Sequence, residues 1–251
     1  MQKNNPILIN VPHSATYIPP EEIQYFIASR IQHELDVMTD HYCDDLYNTG
    51  NTMLRFPVSR LVCDPERFRD DSDEIMSSVG MGAIYSACSD GRRLKTISLR
   101  HKEELLSKYY DSYHSRFEHA VRKKLCKYDK CLIIDGHSFY DEPLPYEYDQ
   151  DYDRPDICIG TDEIHTPQEI EDKLRTFFRD RGYSVDINRP FSGCIVPTGF
   201  YRKDKRVMSI MIEINRRLYM DHSLQKTDGY ARIKTDIAGA LALLDKYMMQ
   251  K

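Results

Sequence analysis

The sequence lacks an apolar run long enough to cross a membrane. Its longest uninterrupted apolar stretch covers residues 238–244, whereas a membrane-spanning helix needs roughly 20 apolar residues. The polar residues 2–5 also exclude the apolar region of a signal peptide. We therefore expect a soluble protein that works in the cytoplasm.

A strong excess of one charge is also missing. The chain has 35 Lys and Arg residues against 40 Asp and Glu residues, which gives a formal net charge of −5. This balance favours neither a nucleic acid nor an anionic membrane as the partner. We expect a small molecule, either acidic or uncharged, and the sequence does not indicate an oligomeric state.

The seven cysteines include no CxxC pair. Their odd number and scattered positions argue against a disulfide framework and against a zinc site built from thiolates, so we expect most of them to be small buried side chains. The sequence also has no internal repeat and no low-complexity linker. Its length of 251 residues suits one large domain, which we predict over residues 1–251.

Short β-branched runs alternate with longer helical patterns, and this alternation is typical of α/β proteins. We predict three layers, in which helices flank a central sheet that is mostly parallel or mixed. Residues 140–156, rich in Pro, Tyr and acidic residues, are predicted to be a loop. The strands are predicted at residues 7–11, 53–63 with a break at Pro57, 131–135, 157–160, 184–187 and 209–214, and the helices at residues 100–126, 167–182 and 233–244.

Three of the predicted strands end in polar side chains with potential chemistry. These are His13, His137 and Glu213. Because ligands of open α/β sheets collect outside the carboxyl ends of the strands, we expect the three side chains to meet in one crevice. Two imidazoles and a carboxylate suit a divalent metal, and zinc in hydrolases takes three N or O ligands and leaves one position for water.

The third metal ligand is predicted on the helical segment that follows His13. Asp40 and Asp44 are four residues apart and would share one helix face, so both are candidates and the spacing does not choose between them. We predict Asp44 as the ligand, with Asp40 as the alternative. Ser14 and Ser138 lie beside the predicted ligands, but neither has the Gly-x-Ser-x-Gly context of a nucleophile elbow. A water molecule activated by a metal is the better hypothesis.

Seven short motifs occur in a fixed order along the chain. Together, from about Pro6 to His222, they resemble the N-formylglutamate amidohydrolase family. The sequence departs from the family pattern at Ala15, Glu66 and Cys194, where the family usually has Gly, Asn and Gly. The motifs are Pro12-His13-Ser14, Asp40-x-x-x-Asp44-x-Leu46-Tyr47, Ser59-Arg60-Leu61-Val62-x-Asp64-x-x-Arg67, Tyr113-His114, Asp135-Gly136-His137-Ser138, Asn188-x-Pro190-Phe191-x-Gly193 and Ile212-Glu213-Ile214-Asn215-Arg216-x-Leu218-Tyr219-Met220.

The resemblance implies a fold, a cofactor and a reaction. The fold is the phosphorylase/hydrolase-like α/β fold that is related to zinc carboxypeptidases. The cofactor is one zinc ion per chain. The reaction is hydrolysis of the N-formyl amide of an acidic amino acid, which gives formate and L-glutamate from N-formyl-L-glutamate, a step of histidine degradation.

The resemblance also assigns a role to Glu213. Its counterpart in carboxypeptidase-like enzymes takes a proton from the zinc water and delivers it to the leaving nitrogen. At the end of an apolar strand, the pKa of this carboxyl can rise into the range useful for a base. Without the resemblance, an ion pair of Glu213 with Arg216 or Arg217 is an equally good interpretation.

The substrate of this family carries carboxylates, and the guanidinium group of arginine offers them a bidentate fork. Arg60, Arg67 and Arg216 lie in the matching motifs and are the predicted substrate contacts. Asn188 is predicted to add an amide contact. His114 enters the prediction through the Tyr-His match alone, because by pattern it is a residue on the edge of a helix.

Two other function classes stay open. One is a zinc carboxypeptidase or amidase with an extended substrate, and the other is an inactive relative that binds a small acid. The loop at residues 140–156 directly follows His137 and is expected to edge the pocket, with a plain solvated loop as the alternative.

Overall fold

The computed structural model describes residues 3–250, and residues 1, 2 and 251 of the predicted domain lie outside the described residues. In this part of the chain six strands form one sheet, and that a single domain spans the whole sequence stays a prediction. The strands are β1 (Ile7–Val11), β2 (Thr52–Arg55), β3 (Cys131–Phe139), β4 (Ile157–Gly160), β5 (Val185–Ile187) and β6 (Val207–Asn215).

The order of the strands across the sheet is β2-β1-β3-β6-β4-β5. Strand β4 runs antiparallel to β6, and the other neighbouring pairs are parallel. The prediction of an α/β fold with a mostly parallel or mixed central sheet is therefore confirmed.

Helices cover both faces of this sheet. A π-helical turn, Leu106–Asp111, joins α4 to α5, and this joined helix confirms the one predicted at residues 100–126. Short 3₁₀ helices occupy Ile75–Val79 and Arg216–Leu218. The α-helices are α1 (Pro20–Ile23), α2 (Ala28–Met38), α3 (Cys43–Leu46), α4 (Leu99–Leu105), α5 (Ser112–Tyr128), α6 (Gln168–Arg179) and α7 (Gly229–Gln250).

The apolar core has two parts, one on each face of the sheet. Ile7 and Ile9 of β1 belong to the cluster that contains the apolar side chains of α6 and α7. Leu8 belongs to the cluster that contains those of α5. Successive side chains of a strand point to opposite faces, and the nearly continuous apolar strands follow from burial on both faces.

The strand predicted at residues 53–63 is wrong beyond Arg55, where β2 ends. Pro57 has no N–H group with which to continue a ladder. The chain then turns, because the N–H of Val62 and that of Cys63 both donate to the carbonyl of Ser59, at 2.9 and 3.3 Å. This turn leads directly into the segment that carries Asp64.

No helix among residues 3–250 is long and apolar enough to cross a membrane. Each of the seven cysteines, all within this range, is free, and only Cys126 and Cys194 are not buried. The prediction that most cysteines are small buried side chains is confirmed.

Candidate active site

The carboxyl ends of β1, β3 and β6 lie side by side in the sheet. His13 follows β1 by two residues, while His137 and Glu213 lie within β3 and β6, which extend further than predicted. His137 pairs directly with Glu213 in the parallel register. The rings of His13 and His137 have centroids 5.1 Å apart, so the structure brings the three residues together as the strand-end argument predicts.

His13 is held on one side by a carboxylate. Its Nε2 lies 2.8 Å from Oδ1 of Asp64, whereas its buried Nδ1 has no hydrogen-bond partner. Burial lowers the pKa of His13 to about 4, so the ring is neutral. With Nε2–H donating to Asp64, the lone pair of the ring is on Nδ1, 3.8 Å from Oδ2 of Asp40.

His137 contacts carboxylates through both ring nitrogens. Its Nδ1 lies 3.0 Å from Oδ2 of Asp40, and its Nε2 lies 3.1 Å from Oδ1 of Asp135 and 3.1 Å from Oε2 of Glu66. Burial alone would lower the pKa of His137, but the negative charges of Glu66 and Asp135 raise it well above the usual value. The ring of His137 therefore lies between carboxylates on both of its nitrogen sides.

Asp40 connects the two imidazoles. Its backbone N–H donates to the carbonyl of His13 at 3.0 Å, which fixes the segment after α2 against the end of β1. Its Oδ1 accepts a hydrogen bond from Arg216 Nη2 at 3.1 Å. Burial would raise the pKa of Asp40, but His137, His13 and Arg216 hold it far below the usual range. This carboxyl is therefore ionised.

Three of these residues could hold a divalent metal, because His13, Glu66 and His137 each offer a ligand atom and the three atoms lie within 4.8 Å of one another. Asp40 lies next to Nδ1 of both rings, 3.8 Å from that of His13 and 3.0 Å from that of His137. The buried Nδ1 of His13 without a partner is the donor atom that a metal would satisfy, and two imidazoles with one carboxylate are a common zinc ligand set in hydrolases.

Asp44 does not belong to this cluster. Its side chain is 44% exposed and lies 3.4 Å from Nη1 of Arg55. The expectation that Asp40 and Asp44 share a helix face is wrong, because α2 ends at Met38 and the one-turn helix α3 starts after Tyr42, whose φ of 66° is left-handed. The rule for residues four apart holds only along one continuous helix.

Glu213 is buried, and its Oε2 has no hydrogen-bond partner. Burial raises the pKa of this carboxyl, and the charge of Asp40 raises it further, although His137 and Arg216 act in the opposite direction. Among residues 3–250, neither candidate arginine forms an ion pair with Glu213. Arg216 pairs with Asp40, and Arg217 pairs with Asp156. The carboxyl of Glu213 is thus available for proton transfer.

Arg60 precedes Asp64 in the chain and Arg67 follows it, and both lie near the same carboxylate oxygen. Arg60 donates to Oδ2 of Asp64 from Nη2 at 2.8 Å and from Nε at 3.2 Å, so its fork is already occupied. Arg67 lies 3.9 Å from the same oxygen, and its buried Nε has no hydrogen-bond partner. Arg67 therefore keeps a donor for a ligand.

The other three predicted substrate contacts have protein partners. Arg216 donates to Asp40 and also to the carbonyl of Val37 at 2.6 Å. Asn188 accepts a hydrogen bond from the N–H of Thr161 at 2.9 Å, in the loop after β5. His114 contacts the carbonyl of Pro65 through Nε2 at 2.8 Å. The structure does not bring Asn188 or His114 into the imidazole cluster, and their substrate roles stay predictions.

Three carboxylates that contact the imidazoles were not predicted from the sequence, namely Asp64, Glu66 and Asp135. Asp64 and Asp135 lie in motifs that were recognised, yet nothing in the sequence shows which histidine each of them contacts. Glu66 stands at a position where the family that the sequence resembles usually has Asn. This difference was the one sign in the sequence that could have pointed to Glu66.

The family model for N-formylglutamate amidohydrolase matches residues 5–220 of the chain. No curated protein matches the sequence.

Two solved structures share the fold. The crystal structure of N-formylglutamate amidohydrolase from Ralstonia eutropha JMP134 is 20% identical in sequence, covers 98% of this chain and 95% of that chain, and has a TM-score of 0.84. A gene product from Agrobacterium tumefaciens is 16% identical, covers 96% of this chain and 92% of that chain, and has a TM-score of 0.68. At these identities the likeness shows the fold of the chain.

Proposed function

Because the chain belongs to the N-formylglutamate amidohydrolase family, we propose that it is a metal-dependent enzyme that hydrolyses the N-formyl amide of an acidic amino acid. N-formyl-L-glutamate is the proposed substrate, and formate and L-glutamate are the proposed products. The observation that carries the proposal is the juxtaposition of two buried imidazoles, a carboxylate between them and an unpaired Glu213 in register with His137. The cytoplasmic location and the assignment to histidine degradation stay predictions.

The proposed cofactor is one zinc ion per chain, held by His13, His137 and Asp40. The tautomer of His13 supports the choice of Asp40 over Glu66, since Nε2 donates to Asp64 and the lone pair is on the side of Asp40. Asp64 and Asp135 then orient the two rings through their Nε2 atoms, as carboxylates commonly do for metal-bound histidines. A zinc ion in such a site lowers the pKa of its bound water to about 7.

Glu213 is the proposed general base. It takes a proton from the attacking water as the oxygen adds to the formyl carbon. It then delivers this proton to the amide nitrogen as the C–N bond breaks, so that formate and the free amino group leave. Burial raises the pKa of the Glu213 carboxyl. A carboxyl with a raised pKa is suited both to accept the proton from water and to donate it to the nitrogen.

Arg67 is the proposed contact for a substrate carboxylate. Its buried Nε has no partner, and its guanidinium is close to Asp64, which also orients His13. Arg60 adds a second positive charge near Asp64, although its Nε and Nη2 already donate to this carboxylate. A carboxylate of the substrate would thus bind beside the imidazole pair.

The decisive experiment combines metal analysis with an assay of formate release. The purified protein is analysed for metal and then assayed with N-formyl derivatives of glutamate, aspartate and leucine, before and after chelation and after readdition of zinc. The proposal expects one metal per chain, chelator-sensitive formate release and a preference for the acidic substrates. Metal binding without release from any N-formyl amino acid would favour an amidase with an extended substrate, and absence of metal would favour an inactive acid binder.

A further inference from the structure

Asn10 is a polar side chain in the interior of the sheet. It lies in β1, is fully buried, and stands beside Asp135 of β3 in the parallel register. Because successive side chains of a strand alternate in direction, Asn10 points to the same face of the sheet as Leu8, whose apolar cluster includes Tyr113 of α5. Burial of an amide costs free energy unless its polar atoms are hydrogen-bonded, so this position requires specific partners.

Three hydrogen bonds engage both ends of the Asn10 amide. Its Nδ2 donates to Oδ1 of Asp135 at 2.9 Å and to Oε1 of Glu66 at 3.0 Å. Its Oδ1 accepts from the hydroxyl of Tyr113 at 2.5 Å. An amide carries two N–H donors at one end and an acceptor at the other. Because the carboxylates accept at one end and the hydroxyl donates at the other, these partners select one of the two orientations of the amide.

Both carboxylates that Asn10 holds face the same nitrogen of His137. The Asp135 oxygen that accepts from Asn10 lies 3.1 Å from Nε2, and Oε2 of Glu66 also lies 3.1 Å from Nε2. The second oxygen of Asp135 accepts from the backbone N–H of Ile195 at 3.2 Å. Asp135 is therefore fixed through both of its oxygens where it meets the imidazole.

Tyr113 anchors the far end of this chain of hydrogen bonds. Its side chain is fully buried, and its ring packs edge-to-face against Phe56 with the centroids 5.1 Å apart. The hydroxyl is thus held at a fixed point of the core. A continuous path of hydrogen bonds runs from this hydroxyl through Asn10 and Asp135 to the imidazole of His137.

We propose that Asn10 is a positioning residue that acts on His137 through Asp135. By fixing this carboxylate, it keeps Nε2–H of the ring directed to Asp135 and leaves Nδ1 on the side of Asp40, where the metal is proposed to bind. Metal-bound histidines commonly owe their tautomer and ring orientation to such a carboxylate, and Asn10 fixes the carboxylate itself. The inference rests on the proposed function, since it takes Nδ1 of His137 as a metal ligand.

The test compares the full-length wild type with Asn10→Ala and Tyr113→Phe. The first variant removes both N–H donors of the amide. The second keeps the aromatic ring and its packing and removes only the hydroxyl that orients the amide. Circular dichroism identifies the folded variants. If Asn10→Ala does not fold, Tyr113→Phe decides alone by the same readouts.

The chain offers a matched control for each variant. Asn51, 6% exposed, accepts from Nδ2 of Asn5 at 2.6 Å and donates to Thr49 at 2.9 Å. Asn51→Ala thus removes a buried, hydrogen-bonded amide outside the path to His137. Tyr183→Phe likewise removes a hydroxyl that donates to Asp236 at 2.7 Å, and it controls for Tyr113→Phe.

The first readout is spectroscopic and uses the metal-free protein. With ¹⁵N-labelled histidine, NMR follows the ring N–H protons, and His137→Ala identifies the signal of Nε2–H. Loss of a hydrogen bond to a charged group is expected to change an equilibrium roughly 10-fold or more. Exchange of this proton with solvent should therefore become faster by about this factor in Asn10→Ala, and by a smaller factor in Tyr113→Phe, while both controls match the wild type.

The second readout is the affinity for zinc, measured by competition with a chromophoric chelator. Zinc should bind roughly 10- to 100-fold more weakly to Asn10→Ala, the usual effect of losing a partner that orients a ligand, and the controls should bind zinc like the wild type. If the wild type releases no formate, the proposed function fails, but the exchange of Nε2–H still decides the role of Asn10.

Three results would overturn the inference. The first is unchanged exchange and zinc affinity in the folded variants of Asn10 and Tyr113. The second is an equal loss in the controls, which would show a general loosening of the fold. The third is the lack of a protected Nε2–H signal of His137 in the wild type.

Discussion

Asp64 fixes the orientation of His13. Its Oδ1 lies 2.8 Å from Nε2 of the imidazole, while its Oδ2 is bound by Arg60 and by the hydroxyl of Tyr85. Asp64 is fully buried and held by three partners, so it keeps the ring in one orientation. Nδ1 of His13 is consequently directed to the side where Asp40 lies.

The first prediction concerns the carboxylate ligand. Asp40→Ala should remove the metal, whereas Glu66→Gln should retain one metal per chain, because the lone pair of His13 faces Asp40. Elemental analysis after dialysis checks both variants. Asp44→Asn is the matched control, since its side chain is exposed and paired with Arg55, and it should bind metal like the wild type. Loss of metal in Glu66→Gln with retention in Asp40→Ala would show that the metal binds on the Nε2 side.

The second prediction concerns the two imidazoles. His13→Ala and His137→Ala should each lose metal and formate release while the circular dichroism spectrum stays that of a folded protein, because both residues lie at the carboxyl ends of strands whose cores are unaffected. His165→Ala is an unsuitable control, since this buried histidine contacts the carbonyl of Val207. His33 is exposed, so His33→Ala is a suitable control. Full metal occupancy in either active-site variant would contradict the ligand assignment.

The sequence predicted most of the sheet because burial on both faces produces apolar runs with recognisable ends. It also placed His13 and His137 at those ends, where the structure has them. Asp44 was misplaced because spacing does not reveal that Tyr42 adopts a left-handed conformation and interrupts the helix. Glu66 was missed because its contact with His137 joins segments far apart in the chain, and no local pattern encodes such a contact.

The third prediction concerns Lys95, a buried cation under the segment that carries Arg60 and Asp64. Its Nζ donates to the carbonyls of Leu61 and Val62. Burial lowers the pKa of Lys95 to about 7, although Cys63 and Glu22 act to raise it. The unfolded chain, with an ordinary lysine, therefore binds more protons than the folded chain between about pH 7 and pH 10, and stability must rise with pH in this window.

The measurement compares thermal or urea unfolding of the wild type with that of Lys95→Met as a function of pH. The free energy of unfolding of the wild type should gain up to about 1 kcal/mol per pH unit relative to the variant above neutral pH. Lys203→Met is the control, because this lysine is exposed, and its difference from the wild type should not change with pH. A pH-independent difference between wild type and Lys95→Met would contradict the assignment.

The last prediction concerns Glu213. Glu213→Gln keeps the size of the side chain but cannot accept a proton, so kcat for formate release should fall roughly 100- to 10,000-fold, the usual contribution of general acid–base catalysis. Metal content and KM should stay near those of the wild type, because Asp40, the two histidines and the arginines are unchanged.

The alternative, in which Glu213 mainly pairs with an arginine, expects a lower melting temperature and a small effect on kcat. The structure argues against it, since Arg216 pairs with Asp40 and Arg217 with Asp156. Metal content, melting temperature and kcat measured on one preparation separate the two, and near-normal turnover of Glu213→Gln would exclude Glu213 as the base.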